Sequence, residues 1–430
     1  MNYTEALEYI HCGFFGGTRP GLSRVSELLG RLGNPQNRLR FIHVAGTNGK
    51  GSFCAMTDSV LRRAGYRTGL YTSPYIEKFN ERMVFDGEPI SDEELAEIVS
   101  TARPYAELMD DRPTEFELIT AVAMLFFLRH GADPVVLEAG LGGRLDATNA
   151  VNTQVLSVIT GISLDHTAIL GGTTSKIAAE KAGILRPGVP LVWGGRDRYA
   201  SRVIHRAAAE KGCPVVNAGR IKPVIKEFTL DGTSFVWDGF DARLSLLGIY
   251  QPANAANVIA AVRLLRERGF RITDGDLREG LAAAKWKGRF ELLCRDPVII
   301  SDGSHNPEGI AAAVAGIKRY FGGERVVLLT GVMKDKDWRG MAEELSPVAS
   351  EVITLRPPNP RALAPSEFAA EFGRHGVPAR GFEDVSAAVS AALDAAKNGG
   401  RPLIALGSLY MYGALIAALR AALGPALVQP

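Results

Sequence analysis

Along the first half of the chain, apolar residues recur in short runs, each closed by glycine or a polar residue and followed by a helical pattern. Strands buried on both faces read as continuous apolar runs, and crossover helices carry a 3.6-residue period, so the alternation predicts βαβ units around a parallel sheet. Strands are expected at RFIHVAG, RTGLYTS, PVVLEAG, QVLSVITGI and PLVWGG. Helices are expected between them, among them SFCAMTDSVLRRAG and EFELITAVAMLFFLRHG, the second ending at a glycine stop. From 215 to 247 the pattern changes: VIKEFTL, DGT, SFVWDG and ARLSLLG alternate around an Asp-Gly turn, predicting a small antiparallel insert. After a helix at NAANVIAAVRLLRERG, the stretch KWKGRFELLCRDPVIISDG opens a second series. There VIISDG, RVVLLTG, EVITL and PLIALGS alternate with EGIAAAVAGIKRYFGG and VSAAVSAALDAAKNGG. The expected fold is α/β in two domains, 1–290 carrying the insert and 291–430 holding a second α/β sheet.

Bulk properties narrow the function. A length of 430 residues suits two domains, at ~100–200 residues each. Lys+Arg 49 against Asp+Glu 47 leaves no field that would recruit nucleic acid or an anionic membrane, so recognition falls to specific pockets. The N-terminal MNYTEALEYI lacks a secretory layout, and the apolar run ITAVAMLFFL falls short of a membrane span. A cytoplasmic location is therefore expected. Cys12, Cys54, Cys213 and Cys294 form no C-x-x-C pair and read as reduced structural thiols.

In open parallel sheets ligands bind beyond the carboxyl ends of the strands. At those ends the sequence places the loop HVAGTNGKGS, then Ser73, Glu138, Asp165 with His166, and, in the second series, Asp302 with His305. The loop resembles a phosphate-binding loop in which Gly51 separates Lys50 from Ser52. Its glycines allow backbone N–H groups to turn toward an anion, Lys50 adds charge, and the helix starting near Gly51 points its positive end there. Glu138 reads as a Mg²⁺ ligand or as an acid at a strand end, and GLGGRLDATN as backbone close to a ligand or as tight turns. His166 could complete a magnesium or polyphosphate site or be structural, and His43, inside a strand, reads as structural. Lys181, on a helix, reads as a solvated lysine.

Taken in order, HVAGTNGKGS, TSPYIEKFNERM, LEAGLGGRLDATN, SLDHTAILGGTTSKIAAEKAGI, YQPANAANVIAA, WKGRFE and DGSHNP resemble the folylpolyglutamate synthase and dihydrofolate synthase family of Mur-type ATP-dependent amide ligases. The likeness runs from PGLSRVSELLGRLGNPQ to GSLYMYG, nearly the whole chain. It implies a P-loop-type ATPase domain followed by a Rossmann-like, glutamate-binding domain. It also implies that Gly46, Thr47, Asn48, Gly49, Lys50, Gly51 and Ser52 hold the ATP phosphates, and that Ser73, Glu138 and His166 bind Mg²⁺. Lys181 corresponds to a lysine the family carries as a carbamate, supporting a second metal. Asn254 would contact adenine, Arg289 the phosphates, and Asp302 and His305 the ribose and phosphate side, with domain closure completing the site. Lys50, Lys181 and His305 are the implied catalytic residues. The chain departs from the family's usual pattern at Tyr75 and Tyr250, where histidine is common, and at Ser304, where alanine is common; the first lies on the folate side.

The implied reaction joins L-glutamate to dihydropteroate or to a folate through an acyl phosphate, releasing ADP and phosphate. The expected enzyme is a bifunctional monomer whose partners are small molecules alone. A single-activity member of the family is the near alternative. A nucleotide switch, or a ligase for cell-wall amino acids on the same scaffold, is the more distant one.

Overall fold

The computed structural model describes residues 1–12 and 19–424; residues 425–430, and with them the end of the second predicted domain, lie outside the described part, as does the side chain of Cys12. By its contacts the chain divides into two units: Met1–Val224 with Val236–Arg243 and Pro252–Ala284, and Ile225–Phe235 with Leu244–Gln251 and Lys285–Pro430.

The first unit holds a sheet of eight strands: β1 Phe41–Ala45, β2 Gly69–Tyr71, β3 Met83–Phe85, β4 Glu88–Pro89, β5 Val135–Glu138, β6 Gln154–Ile159, β7 Leu191–Trp193 and β8 Val215–Asn217. Their spatial order is β4-β3-β2-β5-β1-β6-β7-β8. All pairs from β2 to β8 are parallel, and β3 and β4 add an antiparallel edge. Every residue of β1 and β5 is buried, as their unbroken apolar runs require. Since β1 lies between β5 and β6, the chain winds outward in both directions from it, which opens a crevice at its carboxyl end. Val215–Asn217 belongs to this sheet, so the insert begins after it.

The insert is a three-stranded sheet, β9 Val224–Thr229, β10 Gly232–Trp237 and β11 Phe240–Leu244, in the order β11-β10-β9. Two-residue connections at 230–231 and 238–239 can join only antiparallel neighbours. In the second unit, β12 Glu291–Arg295, β13 Val298–Asp302, β14 Val326–Thr330, β15 Ala349–Leu355, β16 Ala379–Phe382 and β17 Leu403–Leu406 form a sheet in the order β12-β13-β17-β14-β15-β16, parallel except for β12 against β13. Cys54, Cys213 and Cys294 are buried and free.

Local signals set the helices as read. The helix Glu115–His130 starts at a capping box of Thr114 and Glu117 and stops at Gly131 in the left-handed region. The helix Lys50–Arg63 follows directly from the loop after β1. Ser52 to Leu61 are all buried, and its far side packs against the helix Asp274–Ala283 at Gly280, whose carbonyl accepts from the Ser59 hydroxyl at 2.7 Å. A Cβ at Gly280 would collide with the Val60 backbone.

We therefore expect Gly280→Ala to destabilise the fold by about 1–3 kcal/mol, read as a lower denaturation midpoint at unchanged slope in urea. A midpoint at or above wild type would show that the two helices separate freely.

Candidate active site

The loop after β1 is built by close approach. Gly46 sits where any Cβ would strike the Thr160 hydroxyl, and Gly49, at φ 84, ends against Asn254, whose amide oxygen fills the space a side chain would need. Thr160 in turn donates to the Asn48 carbonyl at 2.7 Å, and the Thr47 amide donates to the Gly161 carbonyl at 2.8 Å. The segment following β6 thus moulds the loop. Gly49 caps the helix Lys50–Arg63, whose first turn contains no acid, so the helix presents its amide end and Lys50 together.

Two links tie this loop to its neighbours. The Lys50 ammonium donates to the Thr47 carbonyl at 3.2 Å and lies 3.9 Å from Glu138 Oε1 at the end of β5. The other carboxylate oxygen, Glu138 Oε2, accepts from the Ser73 amide at 3.2 Å. From the other side, Lys181 Nζ donates to the Gly46 carbonyl at 2.8 Å. Lys181 is 4% exposed, so its reading as a solvated lysine is corrected. The helix Thr174–Ala182 turns Ile177, Ala178, Lys181 and Ala182 inward together, and the lysine stands on that buried stripe. Burial, with Lys50 adding to it and Asp165 and Asp146 opposing, brings its amine down to about 7.

His166 stands half exposed at φ 49, its own amide donating to Asp165 Oδ1 at 2.9 Å. The glycine-rich turn after β5 is held by Asp146, which accepts from the Leu141 amide at 2.7 Å and from the Thr148 hydroxyl at 2.5 Å. His43 lies behind it as a structural histidine, its ring between Gln154 and Thr148 at 2.9 Å each. Burial brings its imidazole down to about 3, so it is neutral. Arg144 pairs with Glu180 at 2.8 Å, and Asn149 donates to the carbonyls of Arg144 and Gly183, so both brace the turn.

In the second unit Arg289, Asp302 and His305 gather around Gly303, where a Cβ would meet the Arg289 guanidinium and Leu409. Asp302 accepts from the Phe290 amide (2.8 Å), the Tyr250 hydroxyl (3.0 Å) and the Ser304 amide (2.8 Å). His305 Nδ1 donates to the Gly303 carbonyl at 2.8 Å.

The Mur ligase middle domain matches residues 44–262, and the Mur ligase glutamate ligase domain matches 288–408. The chain is 40% identical over 364 residues to the Bacillus subtilis dihydrofolate synthase/folylpolyglutamate synthase, covering 81% of this chain and 84% of that one. It belongs to the dihydrofolate synthase/folylpolyglutamate synthase family. Solved structures of that family superpose over both units. Mycobacterium tuberculosis folylpolyglutamate synthase complexed with ADP and AMPPCP is 29% identical with a TM-score of 0.88, covering 98% and 99% of the two chains. Escherichia coli FolC in complex with DHPP and ADP is 29% identical with a TM-score of 0.85, covering 98% of each. The chain is thus a Mur-type ligase that forms amide bonds, and among its described residues no helix is long and apolar enough to cross a membrane. What the family motifs did not single out in this chain is the residue behind the first of them, Thr160, which shapes the Gly46–Ser52 loop; Tyr250, noted only as a departure from the family's pattern, is bonded to Asp302.

The Lys181 amine gives a pH test. The folded chain holds it neutral above about 7, whereas the unfolded chain keeps it protonated up to 10.5, its ordinary value. In that window the unfolded state binds the extra proton, so stability rises with pH across it. In buffer freed of CO2, the stability advantage of Lys181→Met over wild type should be greatest below pH 7 and shrink toward pH 10, measured by urea unfolding. A pH-independent difference would mean that the folded chain does not depress this amine.

Proposed function

We propose that this enzyme joins L-glutamate to a pteroyl acid using ATP, accepting both dihydropteroate and folate or its polyglutamates as the acid. The observation that carries this reading is the linkage of the Gly46–Ser52 loop to Glu138 through Lys50 and to Lys181 through the Gly46 carbonyl. A carboxylate does not condense with an amine in water, because oxide is too poor a leaving group. Its oxygen attacks the γ-phosphorus of ATP and ADP departs. The glutamate amine then attacks the acyl carbon, and phosphate leaves carrying the carboxylate oxygen.

Charge stabilisation and positioning dominate phosphoryl transfer. The amide end of the helix Lys50–Arg63, the loop from Gly46 to Ser52, and Lys50 face the phosphates in this reading. Asn254, packed on Gly49, lies toward adenine. In the second unit, Asp302 holds the loops of Arg289 and His305 in register, the residues that the family resemblance assigns to the nucleotide.

Mg²⁺ binds through one or two carboxylates, substrate phosphates and water rather than through an all-protein cage. A buried Glu138 carboxylate beside Ser73 fits that requirement, and among the described residues no group of three or more His, Cys, Asp or Glu makes a closed cage. Ser73, Glu138 and His166 would hold the ion. Bound there, it would neutralise the repulsion between the acid and ATP. A neutral, buried Lys181 amine is suited to add CO2 with loss of a proton, giving a carbamate whose oxygens would support a second ion.

ADP release should require the acid and glutamate together, and oxygen-18 on the pteroyl carboxylate should appear in the phosphate. Glu138→Gln should lower kcat at least ~100-fold with the melting temperature retained. In 13C NMR, 13CO2 should add a carbamate signal that grows above about pH 7 and is missing in Lys181→Met. ADP release indifferent to both acceptors would leave a nucleotide switch as the better reading; phosphate without label would remove the acyl phosphate.

A further inference from the structure

One guanidinium behind the glycine-rich turn takes no part in the mechanism above. Arg186, just beyond the helix Thr174–Ala182, is half-buried. Its Nη2 donates to the Asn149 carbonyl at 2.7 Å, to the Asn149 amide oxygen at 2.9 Å and to the Val151 carbonyl at 3.0 Å. On its other side Nη1 donates to the Gly183 carbonyl at 3.3 Å, and Nε donates to the Asn152 amide oxygen at the same distance. All of these acceptors are neutral, so among the described residues this cation is held by amide dipoles and not by a carboxylate. Its planar donors diverge toward two separate segments of chain, and such a fork fixes geometry as much as it satisfies charge.

The two segments that Arg186 joins meet backbone to backbone. A Cβ at Gly143 would strike the Glu180 carbonyl and Lys181 Cα, and one at Gly183 would strike Arg144. The Arg144 amide donates to the Glu180 carbonyl at 2.8 Å, and Asn149 Nδ2 spans the carbonyls of Arg144 and Gly183 at 3.0 and 3.2 Å. Asn149 can donate to both only while its amide nitrogen faces them, which leaves its oxygen for another donor. Arg186 Nη2 is that donor. The guanidinium therefore fixes the orientation of the Asn149 amide, and Asn149 fixes the end of the helix Thr174–Ala182 against the turn. Lys181, on the last turn of that helix, reaches the Gly46 carbonyl at 2.8 Å, so a shift at this junction would be carried to the loop after β1.

We propose that Arg186 is a positioning residue for the ligase reaction: by holding Asn149 and the Gly183 carbonyl at once, it keeps Lys181 in register with the Gly46–Ser52 loop. The proposal rests on the function proposed above, in which that loop and Lys181 serve phosphoryl transfer. It requires the planar fork, because a lysine ammonium in the same place is a point charge on a flexible stem and does not bridge the two segments.

Arg186→Ala opens a space that free methylguanidinium can fill. With each variant assayed well below its own melting temperature, we expect kcat of Arg186→Ala to fall ~10-fold or more, since a small misplacement far from the chemistry is enough for that, while KM for ATP, acid and glutamate stays unchanged. Added methylguanidinium should recover kcat. Arg186→Lys, which keeps the charge but loses the fork, should stay as slow as Arg186→Ala. The junction can also be read apart from activity: exchange of the Arg144 amide hydrogen, bonded to the Glu180 carbonyl, should quicken in Arg186→Ala and slow again with methylguanidinium. A purely structural arginine gives another set of results. Wild-type kcat in folded Arg186→Ala, methylguanidinium that raises the melting temperature while kcat stays low, unchanged Arg144 exchange, or full activity in Arg186→Lys would each overturn the proposal. If wild type itself released no ADP with acid and glutamate present, the function proposed above would fail first, which separates the two.

Discussion

The site depends on backbone left uncovered. Gly46 and Gly49 stand where a side chain would strike Thr160 or Asn254, so only glycine lets the loop pack this closely against both. Lys181 then binds the Gly46 carbonyl from behind. A loop fixed from both sides need not reorganise when it meets a ligand, and electrostatic stabilisation of a transferring phosphoryl group, the role proposed for it, draws its strength from such preorganisation.

Holding the loop is the task of the elements farther out. The helix Lys50–Arg63 must be buried along most of its length to keep its amide end in place, and its seat on Gly280 transmits that demand to the helix Asp274–Ala283. Behind the glycine-rich turn, a neutral His43 passes hydrogen bonds from Gln154 through Thr148 to Asp146, so the turn beside Glu138 is anchored to β1 and β6 without a buried countercharge. Packing and positioning are thus one problem in this unit.

The strands legible in the sequence were those buried on both faces, because only there does an apolar run stand clear of its surroundings; β1, β5 and β14 are buried throughout. Short edge strands carry no such mark. Glu88–Pro89 has two exposed residues, and Ala379–Phe382 is at best half buried, so their pairing follows from the neighbouring strand rather than from their own residues. The positions of the Gly46–Ser52 loop, Ser73, Glu138 and the Asp302 segment at one edge of their sheets were legible because each follows an apolar strand at its carboxyl end. The burial of Lys181, which entered only through the family resemblance, was not: a lysine in a helix is by default solvated, yet its place on the stripe of Ile177, Ala178 and Ala182 was a signal available in the residues themselves. The burial of Arg82 left still less trace, since the rings of Tyr75 and Phe79 that lie over it are brought there by folding.

Lys181 and Arg82 show two ways in which a fold can tolerate a buried cation, and each leaves a different chemistry open. At Lys181 the surroundings shift the equilibrium toward the neutral amine, so the group becomes a nucleophile and a hydrogen-bond donor to a carbonyl near neutral pH. A guanidinium offers no such neutral form in proteins. Arg82 therefore stays charged among aromatic faces that attract it without saturating its donors. Replacing either cation with an apolar side chain would remove a buried polar group that the fold otherwise has to accommodate, so neither residue is there for stability alone.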